Sequence, residues 1–376
     1  MDSFGLRTKI VMGDALEELT ASFQRVFVVT DAFMASSGMV AYVTDRLERK
    51  GIAYQLFSDV QADPDIETVT RGVGVILDFR PDAVVAFGGG AALDAAKAVV
   101  YFARRQEGLG DVTFIAVPTT SGTGSEVTAF SVITDRQKGI KYPLVDDRLL
   151  PDFALLDPQL TATIPPRLTA DTGMDVMTHA VEAYVATGHN DFTDALAEKA
   201  LRLVHADLYR VFSHPEDMQA HQGMHNASCL AGIAFNAAGL GLNHGMAHAL
   251  GAMFHIPHGR ANAILLPYVM SFNASVGGNP TETTARYARL AVLFGGESIN
   301  DRQGAVNLVQ RTRRLVERLK LPTTLREAGV EEKAFAEALP KIAAAAVADR
   351  CTATNPRPCT QAEAAELFQA AYTGKI

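Results

Sequence analysis

Ala83-Val84-Val85-Ala86-Phe87-Gly88-Gly89-Gly90-Ala91-Ala92-Leu93-Asp94-Ala95-Ala96-Lys97 decides the fold. The apolar run 83–87 reads as a buried strand, and Asp94 to Arg104 reads as a helix. Three glycines join them. Backbone without Cβ lets a pyrophosphate approach closely, and the helix N-terminus offers unpaired N–H donors and a positive dipole end. The spacing is neither the GxGxxG fingerprint nor a P-loop, since no Gly-Lys-Ser/Thr follows. A glycine triplet also makes ordinary tight turns, so the reading depends on what surrounds it.

Outward from this stretch the same alternation continues. Residues 25–31 read as a strand ending in Asp31, 40–50 as a helix, 53–57 as a strand and 66–79 as a helix. A fourth strand, 113–117, runs into Pro118-Thr119-Thr120-Ser121-Gly122-Thr123-Gly124-Ser125-Glu126. Strands alternating with helices predict a parallel sheet covered on both faces, with ligands at the carboxyl ends of the strands. The hydroxyl- and glycine-rich loop after 117 suits phosphates or a ribose, although a plain Ser/Gly turn has the same composition. Asp31 lies at that edge too. Its carboxylate can accept from both ribose hydroxyls of NAD and repels a 2′-phosphate; its alternative role is to cap the next helix.

Past Pro165-Pro166 the texture changes to Ala/Leu-rich helical segments, among them 171–187, 191–212, 218–238, 242–254, 260–275, 282–295, 301–319, 342–347 and 359–373. The expected organisation is an α/β, Rossmann-like dinucleotide-binding domain over 1–162 and an all-α metal- and substrate-binding domain over 163–376.

All ten histidines fall between His179 and His258. Asp175 and His179 are one helical turn apart in an otherwise apolar helix, where an unpaired charge is costly. His244 and His258 flank an apolar, glycine-rich stretch. One carboxylate and several inward imidazoles make a site for iron, zinc or a related divalent ion. His189, His205, His214, His221 and His225 have polar neighbours and read as ordinary surface or hydrogen-bonded residues.

Composition sets the bounds. Hydrophobic residues make up 48% and charged residues 20% of the 376, and the formal net charge is −8. That balance argues against nucleic acid and against an anionic membrane surface. No apolar run reaches the ~18 residues a membrane helix needs. Residues 1–7 carry no apolar segment behind a basic one, so neither a signal peptide nor another targeting extension is expected. Cys229, Cys351 and Cys359 form no CxxC pair, which predicts a reduced, cytoplasmic protein. A metal beside a nicotinamide implies alcohol oxidation or carbonyl reduction.

Four motifs now carry a resemblance: Gly-Gly-Gly-x-x-x-Asp-x-x-Lys at 88–97, Pro-Thr-Thr-x-Gly-Thr-Gly-Ser-Glu at 118–126, Gly-Met-Asp-x-x-Thr-His-Ala-x-Glu at 173–182, and His-Gly-Met-Ala-His at 244–248 with Pro-His-Gly at 257–259. Over nearly its whole length the chain resembles the iron-dependent (group III) alcohol dehydrogenases. The resemblance implies a dehydroquinate synthase-like architecture, usually in homodimers or larger homo-oligomers. It places the Fe2+ ligands (with Zn2+ as the other candidate) on Asp175, His179, His244 and His258. It places NAD contacts on Asp31, Gly88, Gly89, Gly90, Asp94, Thr119, Thr120 and Lys141. His248 falls near the nicotinamide, off the metal, as a catalytic proton relay. Phe130, Phe235 and Cys351 fall on the substrate wall. Ala91 stands where the family commonly has serine, which removes a hydroxyl and leaves the backbone donors. Residues 139–144, 173–176 and 191–199 look most like the propanol-active branch from propanediol-utilising bacterial microcompartments. That adds shell or enzyme partners and encapsulation to the expectations.

The expected reaction interconverts a short primary alcohol, 1-propanol or similar, with its aldehyde, reduction regenerating NAD+. A 1,3-propanediol or lactaldehyde reductase is a close rival. A lyase of the dehydroquinate synthase type would need more basic residues than Lys199, Arg202, Arg210 and Arg260 supply around 173–259. A scaffold without catalysis would neither turn over aldehydes nor lose metal on chelation.

Overall fold

The computed structural model describes residues 4–106, 109–138, 140–296 and 299–375. Contacts divide the chain into two compact units, Met1–Ala162 and Thr163–Ile376.

The first unit holds strands β1 (Lys9–Met12), β2 (Arg25–Asp31), β3 (Ala53–Val60), β4 (Ala83–Gly88), β5 (Thr113–Pro118), β6 (Phe130–Asp135), β7 (Ile140–Val145) and β8 (Phe153–Leu156). Its helices are α1 (Leu16–Thr20), α2 (Ala32–Ser36), α3 (Ala41–Arg49), α4 (Ile66–Phe79) and α5 (Gly90–Ala103). Six strands form one parallel sheet in the order β1-β8-β5-β4-β2-β3. Strand alternation builds both faces. Val26, Val28, Val85 and Phe87 pack with Leu16, Val43 and Leu47 of α1 and α3. Phe27, Val29, Val84 and Ala86 pack with Ile76, Leu93 and Val99 of α4 and α5. Burial on both faces is what makes β2 and β4 continuous apolar runs. From β2 the chain turns outward to β3, whereas from β4 it runs the other way to β5. The sheet order therefore reverses between β2 and β4, and their carboxyl ends, Asp31 and Gly88, flank the switch point where open α/β sheets bind ligands.

Several expectations are corrected here. The sheet has six strands rather than the four anticipated, because β1 and β8 are four residues each and β1 is an edge strand with exposed ends. A two-stranded antiparallel hairpin, β6–β7, stands apart from the sheet. The helix expected from Asp94 starts at Gly90, four residues earlier, because glycine and alanine without bulk carry the first turn.

The second unit is helical: α6 (Pro166–Val185), α7 (Asp191–Ser213), α8 (Met218–Ala238), α9 (Leu242–Phe254), α10 (His258–Asn273), α11 (Glu282–Leu293), α12 (Asp301–Arg318), α13 (Glu332–Ala348) and α14 (Gln361–Thr373). The helix expected over 171–187 begins at Pro166, because proline suits the first helical position, where its missing N–H costs nothing. The segment 342–347 belongs to the longer α13. α6 is buried all round from Gly173 to Val185, so its polar residues must find partners inside the unit.

Candidate functional site

Three helices converge on one carboxylate. α6 carries Asp175, His179 and Glu182 along one face; α9 carries His244 and His248; α10 opens on His258. Close approach makes the convergence possible. A Cβ on Gly259 would lie 2.0 Å from the Asp171 carbonyl oxygen, so only glycine lets α10 begin against the α6 backbone. The guanidinium of Arg260 then clamps Asp171, Nε to Oδ1 at 3.1 Å and Nη2 to Oδ2 at 2.6 Å.

Asp175 Oδ1 lies 3.4 Å from His258 Nε2, 3.7 Å from His244 Nε2 and 3.9 Å from His179 Nε2. The rings of His179 and His244 stack at 4.7 Å. Tetrahedral donors around an ion at about 2.1 Å sit roughly 3.4 Å apart; Asp175, His244 and His258 bring their donor atoms within 4.8 Å of one another, and His179 stands beside them, nearest to Asp175. Burial opposes charge on Asp175, but the three imidazoles outweigh it and hold the carboxyl far below its usual range. Loss of hydration, then the neighbouring imidazoles, push His258 down to about 3 against the pull of Asp175. His244 moves the other way. Burial would lower it, yet Glu182 and Asp175 raise it to about 10. Its Nδ1 pairs with Glu182 Oε2, so Nδ1 keeps its proton and Nε2 is the nitrogen that would give up its own to a metal.

His248 lies one turn beyond His244, outside this cluster, and its exposed ring stacks on His258 at 5.3 Å. Its Nδ1 bonds Asp349 Oδ2 at 2.9 Å. Phe235 stacks on His179 at 4.5 Å, which gives the site an aromatic side. Cys351 is half-buried beside Asp349, whose Oδ1 accepts from the Cys351 backbone N–H at 2.8 Å. Phe130 belongs to the first unit, on β6, where its carbonyl accepts from Lys97.

In the first unit, Asp31 caps α2. Its Oδ1 accepts from the Met34 N–H at 2.9 Å, and its Oδ2 faces Gly88. The capping role is therefore present, with the second oxygen turned to the switch point. Gly88 has φ of +148°, and a Cβ there would meet the Ala92 Cβ at 2.8 Å. Gly89 is the N-cap of α5 and supplies no side-chain cap; the Ala92 N–H turns back to the Gly89 carbonyl, which leaves the Gly90 and Ala91 N–H groups for a ligand. Thr119 follows β5 with a buried hydroxyl that has no hydrogen-bond partner; a buried orphan hydroxyl beside an uncapped helix start is a place for a ligand's polar atoms. Thr120 faces Gly89. Asp94 is differently employed: Oδ1 accepts from Ser125 Oγ at 2.7 Å and Oδ2 from the Val132 N–H at 2.9 Å. It braces the Thr/Gly loop and β6. Lys97, buried, donates to the Thr128 and Phe130 carbonyls, both at 2.8 Å, and burial pushes it down to about 8. Lys141 lies on β7, and its side chain falls outside the described residues.

Three contributors escaped the sequence reading. Glu182 is seven residues from Asp175, hence on the same helical face, and that spacing was its signal. Asn262, four residues after His258, donates Nδ2 to Asp175 Oδ1 at 2.7 Å, with its own Oδ1 held by Asn243 Nδ2 at 2.9 Å. Asp349 orients His248 across 101 residues of sequence, a pairing no local spacing announces.

Comparison with known proteins bears on the family and the fold. The family model described as iron-containing alcohol dehydrogenase matches residues 7–158, and that of the Fe-containing alcohol dehydrogenase family, C-terminal, matches 169–372. A 1-propanol dehydrogenase of Citrobacter freundii is 44% identical, covering 98% of this chain and 99% of that protein. An NADPH-dependent butanol dehydrogenase of Clostridium saccharobutylicum is 40% identical, covering 93% and 92%. Among solved structures, a 1,3-propanediol oxidoreductase superposes with a TM-score of 0.91 at 32% identity, covering 99% of this chain and 100% of that one. A sulfoacetaldehyde reductase from Bifidobacterium kashiwanohense in complex with NAD+ superposes with a TM-score of 0.87 at 26% identity, covering 99% and 98%.

Proposed function

The chain belongs to the iron-containing alcohol dehydrogenase family, and on that footing we propose that its substrates are short primary alcohols and aldehydes of the 1-propanol class. It is a metal-dependent oxidoreductase that interconverts alcohol and aldehyde with NAD(H). The observation that carries the reading is the convergence of His179, His244 and His258 on Asp175 beside the ring of Phe235.

A bound Fe2+ supplies Lewis acidity toward the substrate oxygen, and NAD(H) supplies the hydride chemistry. Asp175, His179, His244 and His258 would hold the metal. Glu182 keeps the His244 proton on Nδ1, so Nε2 stays a donor. Asn262 fixes which way Asp175 Oδ1 points. Asp31, Gly88 to Gly90, Thr119 and Thr120 would receive the dinucleotide. With Nδ1–H given to Asp349, His248 would offer Nε2 as acceptor for the alcohol proton and pass it to solvent across its exposed edge.

Phe235 and the half-buried Cys351 favour an unbranched apolar chain. A second substrate hydroxyl desolvated against them without a partner costs roughly 1–3 kcal/mol, which sets propanal ahead of diols and lactaldehyde. Likeness to the 1-propanol dehydrogenase supports the same choice. Cytoplasmic work in homodimers or larger assemblies, inside a microcompartment and in contact with its shell or enzymes, completes the proposal. No helix among the described residues is long and apolar enough to cross a membrane. Anaerobic reconstitution with Fe2+, followed by an aldehyde panel read through NADH absorbance, tests it. A higher specificity constant for a glycerol-like aldehyde than for propanal would refute the substrate reading.

A further inference from the structure

Beside the Asp175 cluster lies a second group of donors, His248, Asp349 and Cys351, whose ligating atoms are all within 4.8 Å of one another. They are a nitrogen, an oxygen and a sulfur, a donor set that suits zinc and its borderline-soft neighbours better than magnesium or calcium. The catalytic reading uses His248 and Asp349 as a proton relay and gives the thiol no chemistry.

The fold holds these three groups with unusual care. A Cβ on Gly245 would lie 2.2 Å from Thr352 Oγ1 and 3.2 Å from the Asp349 Cβ, so glycine at this point of α9 lets the 349–354 segment press against the helix. Asp349 caps the short turn Arg350–Thr354 through the Cys351 N–H. Thr352 Oγ1 donates to the Ala346 carbonyl at 2.7 Å, and Thr354 Oγ1 to the Leu240 carbonyl at 2.7 Å. Thiol and carboxylate are thus presented to His248 by hydrogen-bonded backbone, a preorganisation that lowers the cost of binding. Asp349 Oδ1 is occupied by the Cys351 N–H, which leaves Oδ2 as the ligating oxygen. Three protein donors and one water complete a tetrahedron of about 2.0–2.3 Å bonds with donor edges near 3.5 Å, so donors within 4.8 Å of one another need to close by about 1.3 Å at most.

We propose that His248, Asp349 and Cys351 form a second, lower-affinity site for Zn2+, adjacent to the iron site, whose occupation immobilises His248 and slows turnover. On binding, the thiol gives its proton to solvent and sulfur coordinates as thiolate, while the His248 proton leaves Nδ1 for Nε2 so that Nδ1 coordinates beside Asp349 Oδ2, with no change of oxidation state. The binding half stands apart from the alcohol dehydrogenase reading. The inhibitory half rests on it, through His248.

Cobalt separates the two sites, because thiolate coordination gives a charge-transfer band in the near ultraviolet and imidazole or carboxylate coordination does not. Metal-free full-length protein is titrated with Co2+ anaerobically, with bound metal counted by equilibrium dialysis. The expected result is two ions per chain, with the band rising only as the second binds. Cys351→Ser should bind one ion and show no band. His258→Ala should lose the silent ion and keep the band, so a failure of the first site is distinguishable from a failure of the second. Saturation at one ion per chain in the wild type, or a band that persists in Cys351→Ser, overturns the site. On the iron-loaded enzyme, added Zn2+ should slow propanal reduction in the wild type and much less in Cys351→Ser. Equal inhibition of both would overturn the regulatory half.

Discussion

Glu182→Gln is the sharpest test of how the metal ligands are held. Glu182 is 3% exposed and His244 1%, so neither can recruit bulk water when a partner is lost. The two carboxylate oxygens accept from three donors. Oε1 takes the Asn243 N–H at 2.7 Å and the His244 N–H at 3.4 Å, and Oε2 takes His244 Nδ1. A glutamine has one acceptor and one donor end. If its oxygen stays with the backbone, its NH2 faces Nδ1, and His244 must move its proton to Nε2, the atom the metal needs. If the amide turns over, two backbone N–H groups face an NH2. Either way a buried charge-assisted bond is lost. Outer partners of this kind change metal affinity by about 10–100-fold, equivalent to roughly 1.4–2.8 kcal/mol at about 1.4 kcal/mol per tenfold. The assay is competition for Co2+ or Zn2+ against a chromophoric chelator, with dinucleotide binding as a control that should not move. A Glu182→Gln dissociation constant within threefold of wild type refutes the tautomer argument.

The remaining expectations follow from single contacts. His258→Ala should lose most of its iron and activity while still binding NAD+; full activity in metal-free protein would sink the ligand assignment. His248→Ala should keep iron by elemental analysis yet turn over slowly with a flattened pH profile, and iron loss like that of His244→Ala would make it a ligand instead. Asp31→Gly should relax the preference for NAD(H), chiefly by improving NADP(H) as a like charge is removed from a 2′-phosphate; an unchanged ratio of specificity constants rules this out. Asp65→Asn keeps the cap on the Thr68 N–H, since asparagine caps as well as aspartate, and removes the charge beside Arg136. Burial would raise Asp65, but its bonds to Thr68 and Arg136 lower it to about 2 from 3.8. Its contribution is therefore full above about pH 5 and is lost as pH falls toward 2, so the gap in urea midpoint between wild type and variant should narrow between pH 6 and pH 3.5. A gap that widens would contradict the sign.

How much of the fold could be read depended on burial. β2 and β4 are covered on both faces, and complete burial writes itself into sequence as Val-Phe-Val-Val and Ala-Val-Val-Ala-Phe. β1 is an edge strand, so Lys9 and Met12 are exposed and no apolar run marks it. β8 is hidden for a different reason: Phe-Ala-Leu-Leu is as good a helix fragment as a strand, and only pairing with β1 and β5 decides. The starts of α5 and α6 shifted because Gly90 and Pro166 look like breakers, although a first helical turn tolerates both.

The site divides along the same line. Asp175 and His179 were legible because a local helix sets their spacing, whereas Asp349 reaches His248 only through the packing of its segment against α9. Asp94 shows the opposite situation. Its place in a glycine motif drew it toward the ligand, yet both its oxygens are engaged by Ser125 and Val132. Motif membership marks a residue as needed at the site. Whether it touches ligand or holds the residues that do depends on where its donors and acceptors are already committed, and those partners lie 31 and 38 residues away in the chain. By that test Thr119, buried just after β5 with an unpartnered hydroxyl, has the stronger claim to a direct dinucleotide contact, and Thr119→Val should weaken NAD+ binding more than Asp94→Asn does at equal stability. The reverse order, measured by titration of metal-free protein, would return Asp94 to the ligand.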